Sequence, residues 1–597
     1  GWSLDDGPGL VRFPPGARLP GQGYAWLARR PEDFALSFGR APDWAWDRAT
    51  GDDGRAGPRQ GWLIAQGGGP RLANTADRLF LRRPDGSLAD ALRYGNAAPA
   101  AEGWQGPPLV AYAPRGYAAA GQVLYRKLNP LTALPQGDLD RATDWASDPL
   151  DPVLGRRLRF PGWQLEERLR PLRVLSARPA ALELAMAPDA LAPFLARHFG
   201  AATTRLDLVV YSFEHPLLAE VIAARAAAGV RVRLAVEGAP AGGISMLARW
   251  CLAHMAAAGA AVSFMDRGGD IAPRYRGLHA KLAVVDDRWA LIGSENPTLG
   301  SAPVDDPADG TAGRRGLWLA TDEPAVLAWA TGLLDADLDP ARADLRPFQA
   351  RDPARGAPLP DFQPEREGGG SGYRPRFAQP LLLGQPAGLR WELISAPESS
   401  LDPVAGVPGL LARAGQGDCL WAQQLDEPLW WGARDAPDGA AEADPAFNPR
   451  VAGYLAAARR GARTRLLLDD YFDDPLAPNS NRATVAFLRA RAQAEGLDLE
   501  ARLGNPSGLG LHNKMILLGR GCQAMAEQGA GQGDAWVHLG SLNGSESASK
   551  ANREAALNVD SPQLLAYLRT VFEADWAASE SAERYLPSLA GGLGQGP

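Results

Sequence analysis

The feature that most constrains this 597-residue chain is an internal duplication. Short sequence patterns in the first half occur again, in the same order, in the second half. The paired segments are 183–189 with 392–398, 229–234 with 461–466, 279–281 with 512–514, and 293–296 with 540–543. Matched patterns in one order are typical of repeated structural units. The sequence therefore predicts two homologous lobes within one polypeptide.

Each lobe alternates segments of strand and helix character. Residues 205–213 have the pattern of a buried strand, 216–228 that of a helix, and 230–236 that of a second strand. A strand–helix–strand unit places its strands parallel in one sheet. We therefore predict α/β lobes at 165–345 and 388–590, each a mixed sheet flanked by helices. The Pro- and Gly-rich stretch 346–387 is predicted to be a linker.

Residues 1–148 differ from the lobes in composition. They are rich in Gly, Pro and Trp and contain short alternating segments such as 77–81, which the turn 84–87 separates from a predicted return strand at 88–94. Such hairpins are typical of antiparallel sheets. We therefore predict a β-sandwich in front of the two lobes.

Charge, hydropathy and cysteine content narrow the classes of function. A net charge of -7 and a pI of about 5.6 give no global basic surface for nucleic acid, although a local basic groove is compatible with both values. No stretch reaches the roughly 18 apolar residues that a membrane span needs. Cys251, Cys419 and Cys522 lie far apart in sequence, so we expect buried thiols rather than a disulfide framework or a zinc site.

Lysine and histidine are both rare in this chain, yet they occur close together at two places. Four of the 62 basic residues are lysines, and there are six histidines. Two of the lysines follow a histidine by two residues, in His279-Ala280-Lys281 and His512-Asn513-Lys514. Arginine does not easily replace a compact ammonium that meets a phosphate in a tight pocket. The retention of lysine therefore indicates a phosphate-binding role.

Strand alternation adds further polar side chains to the same faces. It places the histidine and lysine of each motif on one face of a strand. It does the same for Ser294 with Asn296, and for Ser541 with Asn543. Together these groups supply a nucleophile or proton donor and several donors for phosphate oxygens. The sequence therefore predicts a phosphate-handling site.

These motifs resemble the HKD motifs of the phospholipase D superfamily over residues 165–590. His279-x-Lys281 is followed by Asp286 and Gly293-Ser294-x-Asn296, and Asn552-Arg553-Glu554 completes the second copy. The resemblance implies a phosphodiesterase with one site between the lobes and no metal or other cofactor, in which one histidine forms a phosphohistidine and the other protonates the leaving oxygen. It implies His279 as nucleophile, His512 as general acid and base, and the lysines and asparagines as ligands of the nonbridging oxygens: Lys281, Lys514, Asn296 and Asn543.

Two positions depart from the superfamily pattern. The motif's Asp falls at Gly519 in lobe two, and the position matching Glu554 falls at Gly316 in lobe one. Asp286 lies five residues beyond Lys281, so we expect it to face away from the His/Lys pair and to serve a turn. A histidine without an orienting carboxylate is a poorer base or nucleophile. A catalytically degenerate surface-binding or scaffolding protein is therefore one alternative.

The N-terminal region resembles the lamin-tail domain, an immunoglobulin-like module, at 1–7, 72–77 and 140–145. The first strands of that module would be missing here. Because the module often accompanies secreted nucleases, the resemblance implies a secreted nuclease as the alternative to a phospholipid-cleaving enzyme. The chain begins at Gly1 without Met or leader, so we expect either a secreted or cell-envelope protein whose signal was removed, or a fragment.

The partners expected from the sequence follow from the same features. They are a phosphodiester substrate, either phospholipid or nucleic acid, and a peripheral membrane surface. A monomer is expected because both lobes lie on one chain. The acidic residues at 469–474 are predicted to form a solvated loop or substrate rim rather than a cation site. Trp430-Trp431 and Tyr471-Phe472 are compatible with core packing or with a lipid- or base-contacting rim.

Overall fold

A computed structural model of the chain describes most of residues 1–583. The residues outside the description are 20, 22, 39, 49–56, 97, 112–122, 128, 130–133, 147–170, 267–272, 307, 371, 386, 432–441, 443, 445, 523–534 and 584–597. The described residues form a strand-rich N-terminal region and two α/β lobes. Among the described helices, none is both long enough and apolar enough to cross a lipid bilayer.

Strands dominate the N-terminal region. Its elements are β1 (Ser3–Asp5), β2 (Leu10–Arg12), β3 (Leu27–Ala28), α1 (Pro31–Phe38), β4 (Trp44–Ala45), β5 (Gly61–Trp62), β6 (Ile64–Gln66), β7 (Asp77–Arg82) and β8 (Leu88–Tyr94). An antiparallel sheet has the order β6-β2-β1-β7-β8, and a small parallel sheet has the order β3-β4-β5. The hairpin predicted from the sequence is confirmed as β7 paired with β8.

The first lobe alternates strands and helices. Between residues 172 and 347 the elements are β9 (Leu172–Leu175), β10 (Ala180–Ala187), α2 (Leu191–Gly200), β11 (Arg205–Val210), α3 (Pro216–Ala227), β12 (Arg231–Glu237), α4 (Met246–Ala257), β13 (Ala261–Met265), β14 (Leu282–Val285), β15 (Trp289–Gly293), β16 (Gly313–Thr321), α5 (Pro324–Asp337) and β17 (Leu345–Pro347). The predicted strand–helix–strand unit is confirmed as β11, α3 and β12, whose strands are parallel.

The second lobe repeats this plan. From residue 381 onward the elements are β18 (Leu381–Gln385), β19 (Arg390–Ala396), α6 (Val407–Arg413), β20 (Cys419–Gln424), α7 (Pro449–Arg459), β21 (Arg463–Asp469), α8 (Asn481–Glu495), β22 (Leu499–Gly504), β23 (Gly508–Leu511), β24 (Lys514–Gly519), β25 (Ala535–Gly540), α9 (Glu546–Lys550), β26 (Glu554–Asp560) and α10 (Pro562–Glu583). Ser480 caps the start of α8 through its hydroxyl, and Gly496 ends that helix with a φ of 67°.

Eight strands of each sheet follow the same topology, and the first sheet has two more, the edge strand β17 and β23, which pairs with β16. The strand orders of the two sheets are β17-β13-β12-β11-β14-β15-β16-β10-β18 and β22-β21-β20-β24-β25-β26-β19-β9. Each lobe also receives an edge strand from the segment that precedes the other lobe, because β9 pairs with β19 and β18 pairs with β10. Residues 381–385, which we predicted as linker, therefore belong to the lobe-one sheet.

A shared apolar core joins the inner faces of the two sheets. It contains side chains of lobe one, lobe two and the helices α5 and α10, among them Val209, Ile292, Leu333, Leu393, Leu517 and Phe572. The outer face of each sheet packs against the other helices of its own lobe. Burial on both faces explains why the central strands are nearly continuous apolar runs. This core holds the lobes face to face and places their strand ends at a common boundary.

One sequence-based expectation about the cysteines is wrong. Cys419 and Cys522 form a disulfide whose Cα atoms are 5.0 Å apart and whose residues are 103 positions apart in sequence. Cys419 begins β20 and Cys522 follows the end of β24, and these two strands pair. The long separation hid the contact because strand pairing, not sequence spacing, brings the thiols together. Cys251 is a buried free thiol, as predicted.

Candidate active site

The two predicted histidine motifs lie at the boundary between the lobes. His279 and His512 stand just before β14 and β24, where these strands leave the shared core. Both imidazoles line one cavity of about 560 Å3, together with Asn296. The duplicated fold therefore brings the two motifs to a single cavity.

Main-chain hydrogen bonds across the lobe boundary fix both histidines. The His279 N–H donates to the Arg553 carbonyl at 2.9 Å, and the His512 N–H donates to the Arg315 carbonyl at 2.8 Å. Each histidine is thus held by the backbone of the opposite lobe. The position of either ring depends on how the two lobes pack.

The two arginines that supply these carbonyls are themselves fully buried. Arg315 contacts Asp189 at 3.0 Å and Asp575 at 3.2 Å, and Arg553 contacts Glu398 and Asp337, both at 2.9 Å. Removing one partner from a buried ion pair costs about 3–5 kcal/mol. These clusters explain why the segments 183–189 and 392–398 match in sequence, since each ends in the carboxylate that holds its arginine.

The residue before each histidine is held by a carboxylate of its own lobe. The Leu278 N–H donates to Glu237 Oε2 at 2.7 Å, and the Leu511 N–H donates to Asp469 Oδ1 at 2.5 Å. Asp469 is buried, and burial raises its pKa to about 6. The prediction of a solvated loop is therefore wrong for Asp469. Asp473, four residues on, lines the cavity and fits the predicted substrate rim.

A carboxylate from the opposite lobe meets each imidazole. Glu554 Oε2 lies 2.9 Å from His279 Nδ1, and Glu295 Oε1 lies 3.1 Å from His512 Nδ1. Sequence reasoning named Glu554 but missed Glu295. Because of this second carboxylate, each of the two imidazoles has an orienting partner.

The space around Gly316 explains how Glu295 takes this role. Gly316 and Glu554 are equivalent, since they pair with Ala187 and Ala396 at matching positions of the two sheets. A Cβ atom on Gly316 would lie 1.9 Å from Glu295 Oε1, so the Glu295 carboxylate fills the volume that a side chain at 316 would need. The expected loss of an orienting acid in lobe one is therefore wrong: the acid has moved from position 316 to 295.

Hydroxyl groups hold both carboxylates in place. Ser541 Oγ donates to Glu554 Oε2 at 2.6 Å, and Ser301 Oγ donates to Glu295 Oε2 at 2.7 Å. Ser294, the counterpart of Ser541, accepts a hydrogen bond from the Leu317 N–H at 3.0 Å, as Ser541 does from the Ala555 N–H, but it does not donate to a carboxylate among the described residues. Of the two predicted serines, Ser541 therefore supports an orienting carboxylate directly.

These contacts set the protonation of the rings. A carboxylate only accepts hydrogen bonds, so Nδ1 of each histidine carries the proton and Nε2 of the neutral ring keeps a lone pair. Burial lowers the pKa of His279 and lowers that of His512 to about 3, against the opposing pull of their carboxylates. Burial acts to raise the pKa of Glu295, but the contact with His512 holds it at about 2. Both rings are therefore neutral near pH 7.

The two motif lysines are buried beside their histidines and are not among the residues that line the cavity. Lys281 Nζ donates to the His279 carbonyl at 2.5 Å, and Lys514 Nζ donates to the His512 carbonyl at 2.8 Å. Burial lowers the pKa of Lys281 to about 7 and that of Lys514 to about 8. Each ammonium has two further protons available for a bound oxyanion.

The two asparagines are not placed alike. Asn296 lines the cavity, and its Oδ1 accepts a hydrogen bond from the Tyr211 N–H at 3.2 Å, which leaves its amide group available as a donor. Asn543 does not line the cavity, and among the described residues no partner meets its buried Oδ1. The predicted oxyanion ligand is thus at the cavity in lobe one only.

Asp286 lies away from the imidazoles, as predicted. Its carboxylate accepts hydrogen bonds from the backbone N–H groups of Thr203, Thr204 and Arg205 and from both threonine hydroxyls. It therefore ties the end of β14 to the start of β11. At the equivalent place in lobe two, where Gly519 pairs with Cys419, the disulfide joins β20 to the segment after β24.

Of the aromatic residues named from the sequence, one pair lies in the core and the other lies at the edge of the cavity. Trp430 and Trp431 are buried, so they belong to the core. Phe472 lines the cavity, and Tyr471 beside it is 50% exposed. Four charged groups that sequence reasoning did not name also line the cavity: Glu214, Glu237, Arg314 and Asp426. Burial raises the pKa of Asp426 to about 6.

Comparison with protein families gives a match in both lobes. Residues 195–305 and 448–576 match the family described as "Cardiolipin synthase, PLD-like domain", where PLD stands for phospholipase D. A comparison with curated proteins gave no match.

Several solved structures are similar to this chain. Phosphatidylserine synthase of Haemophilus influenzae is 11% identical, with coverage of 71% of this chain and 90% of that one and a TM-score of 0.42. Nuc of Salmonella typhimurium, a phospholipase D family member, is 15% identical, with coverage of 28% and 99% and a TM-score of 0.23. Polyphosphate kinase of Porphyromonas gingivalis is 14% identical, with coverage of 66% and 50% and a TM-score of 0.36.

Proposed function

Since both lobes of this chain belong to the phospholipase D superfamily, we propose that the protein is a metal-independent phosphodiesterase that acts through a phosphohistidine. The observation that carries the proposal is the reciprocal pairing of His279 with Glu554 and of His512 with Glu295, at one cavity. A degenerate site would not be expected to keep a carboxylate on each ring. The pairing therefore favours an enzyme over the scaffolding alternative.

In the first step, the Nε2 lone pair of His279 attacks phosphorus. The N–P bond forms as the P–O bond to the leaving alcohol breaks, and His512 gives that oxygen its proton. Glu554 stabilises the positive charge that develops on the His279 ring. Lys281, Lys514 and the Asn296 amide serve the nonbridging oxygens in the transition state.

In the second step, His512 takes a proton from water, and the hydroxide oxygen displaces His279 from phosphorus. His512 must carry two ring protons at the start of the cycle, yet burial holds its pKa near 3 in the unliganded protein. The negative charge of a bound phosphodiester offsets this burial effect, because a nearby opposite charge favours the protonated ring. Substrate binding and protonation of His512 are therefore coupled.

We favour a phospholipid as the substrate because of the apolar groups near the cavity. Phe472 lines the cavity and is 48% exposed, and Leu476, in the same loop, is 90% exposed. Exposed apolar side chains beside a polar site suit contact with lipid. We also propose that the protein works as a monomer in an oxidising compartment, secreted or in the cell envelope, where the Cys419–Cys522 disulfide is stable. The lamin-tail character of the N-terminal region remains part of this proposal.

The test offers phosphatidylcholine, bis-p-nitrophenyl phosphate and single-stranded DNA to the wild-type protein and to His279→Ala, all in EDTA. We expect turnover by the wild type, none by the variant, and a phosphorylated His279 in acid-avoiding mass spectrometry of quenched reactions. Loss of turnover on chelation would contradict the metal-free chemistry, and activity that survives the substitution would move the nucleophile elsewhere. Cleavage of DNA alone would establish the nuclease alternative.

A further inference from the structure

Arg314 breaks the twofold symmetry of the cavity. It lies two residues before Gly316, so its counterpart in lobe two, two residues before Glu554, is the uncharged Asn552. The guanidinium lines the cavity together with both imidazoles. Lobe one therefore brings a cation to the cavity that lobe two does not.

The Arg314 guanidinium forms no ion pair with a carboxylate of the described residues, although its charge contributes to lowering the pKa of Glu295. Its guanidinium carbon lies 5.2 Å from the centre of the Phe472 ring, which comes from lobe two and also lines the cavity. The next residue, Arg315, is by contrast fully buried and paired with Asp189 and Asp575. A half-buried guanidinium that rests on an aromatic face keeps its N–H donors available to a ligand.

Arg314 is placed differently from the cations assigned to the reacting phosphoryl group. It lines the cavity, as do the carboxylates of Glu214, Glu237, Asp426 and Asp473, whereas Lys281 and Lys514 are buried and donate to the histidine carbonyls. In the proposed mechanism, the two lysines and the Asn296 amide serve the single negative charge of a phosphodiester. Glu295 and Glu554 are engaged with the imidazoles and their supporting serines. The additional guanidinium matches a second anionic group, because arginine binds phosphate and carboxylate through paired N–H donors.

We propose that Arg314 is a specificity-determining residue that binds a second anionic group of the substrate, next to the phosphoryl group under attack. The inference rests on the proposed function and narrows its substrate class to phosphodiesters with a neighbouring phosphate or carboxylate. For a phospholipid, this means a headgroup with its own negative charge.

The experiment compares two probes by isothermal titration. Inorganic phosphate has one anionic group, and methylenediphosphonate has two and is not hydrolysed. We expect the wild type to bind methylenediphosphonate more tightly than phosphate, and Arg314→Gln to reduce the ratio of the two affinities by about ten- to hundredfold. Arg374→Gln is the matched control: it removes the same charge from an exposed arginine whose guanidinium donates to the Ala308 carbonyl, and the ratio should not change.

Two results would overturn the inference. Equal weakening of both probes in Arg314→Gln would place the guanidinium on the central phosphoryl group, and unchanged affinities for both probes would leave it without a role in binding. A companion assay compares turnover of phosphatidylserine and phosphatidylethanolamine, which differ by one carboxylate. If the probes behave as expected but no phosphodiester is cleaved, the proposed function fails and the anion site stands; if His279-dependent turnover occurs without the probe preference, only the inference fails.

Discussion

Moving the Glu295 carboxylate back to position 316 tests the site most sharply. The first variant, Glu295→Leu, copies Leu542, the residue at the matching position of lobe two. It removes the carboxylate oxygen that lies 3.1 Å from His512 Nδ1. His512 is 7% exposed and Glu295 is fully buried. Loss of an orienting carboxylate lowers kcat by about 10²- to 10⁴-fold in comparable sites. This corresponds to about 3–5 kcal/mol of transition-state stabilisation.

The second variant, Gly316→Glu, adds a side chain where no room exists. Its Cβ atom would lie 1.9 Å from Glu295 Oε1, so the single substitution should destabilise the protein and lower activity. The double variant carries Leu at 295 and Glu at 316, which is the combination present in lobe two. Leucine at 295 vacates the volume of the Glu295 carboxylate, and the new glutamate at 316 places a carboxylate in that volume. We therefore expect the double variant to recover much of the activity that either single variant loses.

The assay is kcat for bis-p-nitrophenyl phosphate in EDTA, with thermal unfolding followed by circular dichroism for each variant. The coupling energy of the two substitutions should be large and favourable, as contacting residues show in double-mutant cycles. A double variant no more active than Glu295→Leu would refute the exchange of positions. Full activity in Glu295→Leu would refute a role for the carboxylate in orienting His512.

Other predictions concern charge and stability. Burial lowers the pKa of Lys281 to about 7 and that of Lys514 to about 8, so these ammonium groups lose their charge as pH rises through that range, and the KM for a phosphodiester should rise above pH 7 in a steady-state pH profile. Replacing Cys419 and Cys522 by serine removes a cross-link between residues 103 positions apart, and it should lower the free energy of unfolding in urea by about 4 kcal/mol. An unchanged urea midpoint would contradict the presence of the disulfide. Asp286→Asn should lower the free energy of unfolding by about 1 kcal/mol with little change in kcat. Burial opposes ionisation of Asp286, but its backbone and hydroxyl hydrogen bonds hold its pKa below the usual value. The stability that the ionised Asp286 carboxylate contributes is therefore present above about pH 4 and should vanish as pH falls.

The sequence revealed the repeat because repeated units keep their side-chain order. The strand–helix–strand unit and the turn role of Asp286 follow from local spacing, which backbone geometry translates directly into facing or opposing side chains. Strand alternation does not place the motif side chains, because the histidines lie just before β14 and β24 and the Gly-Ser-x-Asn residues follow the ends of β15 and β25. The edge strands β9 and β18 were not predicted, since each pairs with the sheet of the more distant lobe. Pairing between distant segments leaves little trace in a local pattern.

Glu295 could have been found from the sequence. It occupies the variable position of Gly-Ser-x-Asn, where lobe two has Leu542, and lobe one lacks an acid at Gly316, where lobe two has Glu554. Lobe one has an acid that lobe two lacks at the first of these positions, and lacks the acid that lobe two has at the second. This difference indicates that the carboxylate occupies a different position in each lobe. Only the packing shows that both positions share one volume. The disulfide carried a similar signal, since Cys419 pairs with Gly519, the position where lobe one has Asp286.

The crossed bonds between lobes have a consequence for how this chain can change over time. A substitution at Glu295 alters the chemistry of a ring encoded more than two hundred residues later, and one at Glu554 reaches back to His279 in the same way. Neither copy of the ancestral unit is free to diverge alone, and a chain divided between them would give two fragments that are each inert. After the duplication, the two halves could therefore change only in a coordinated way.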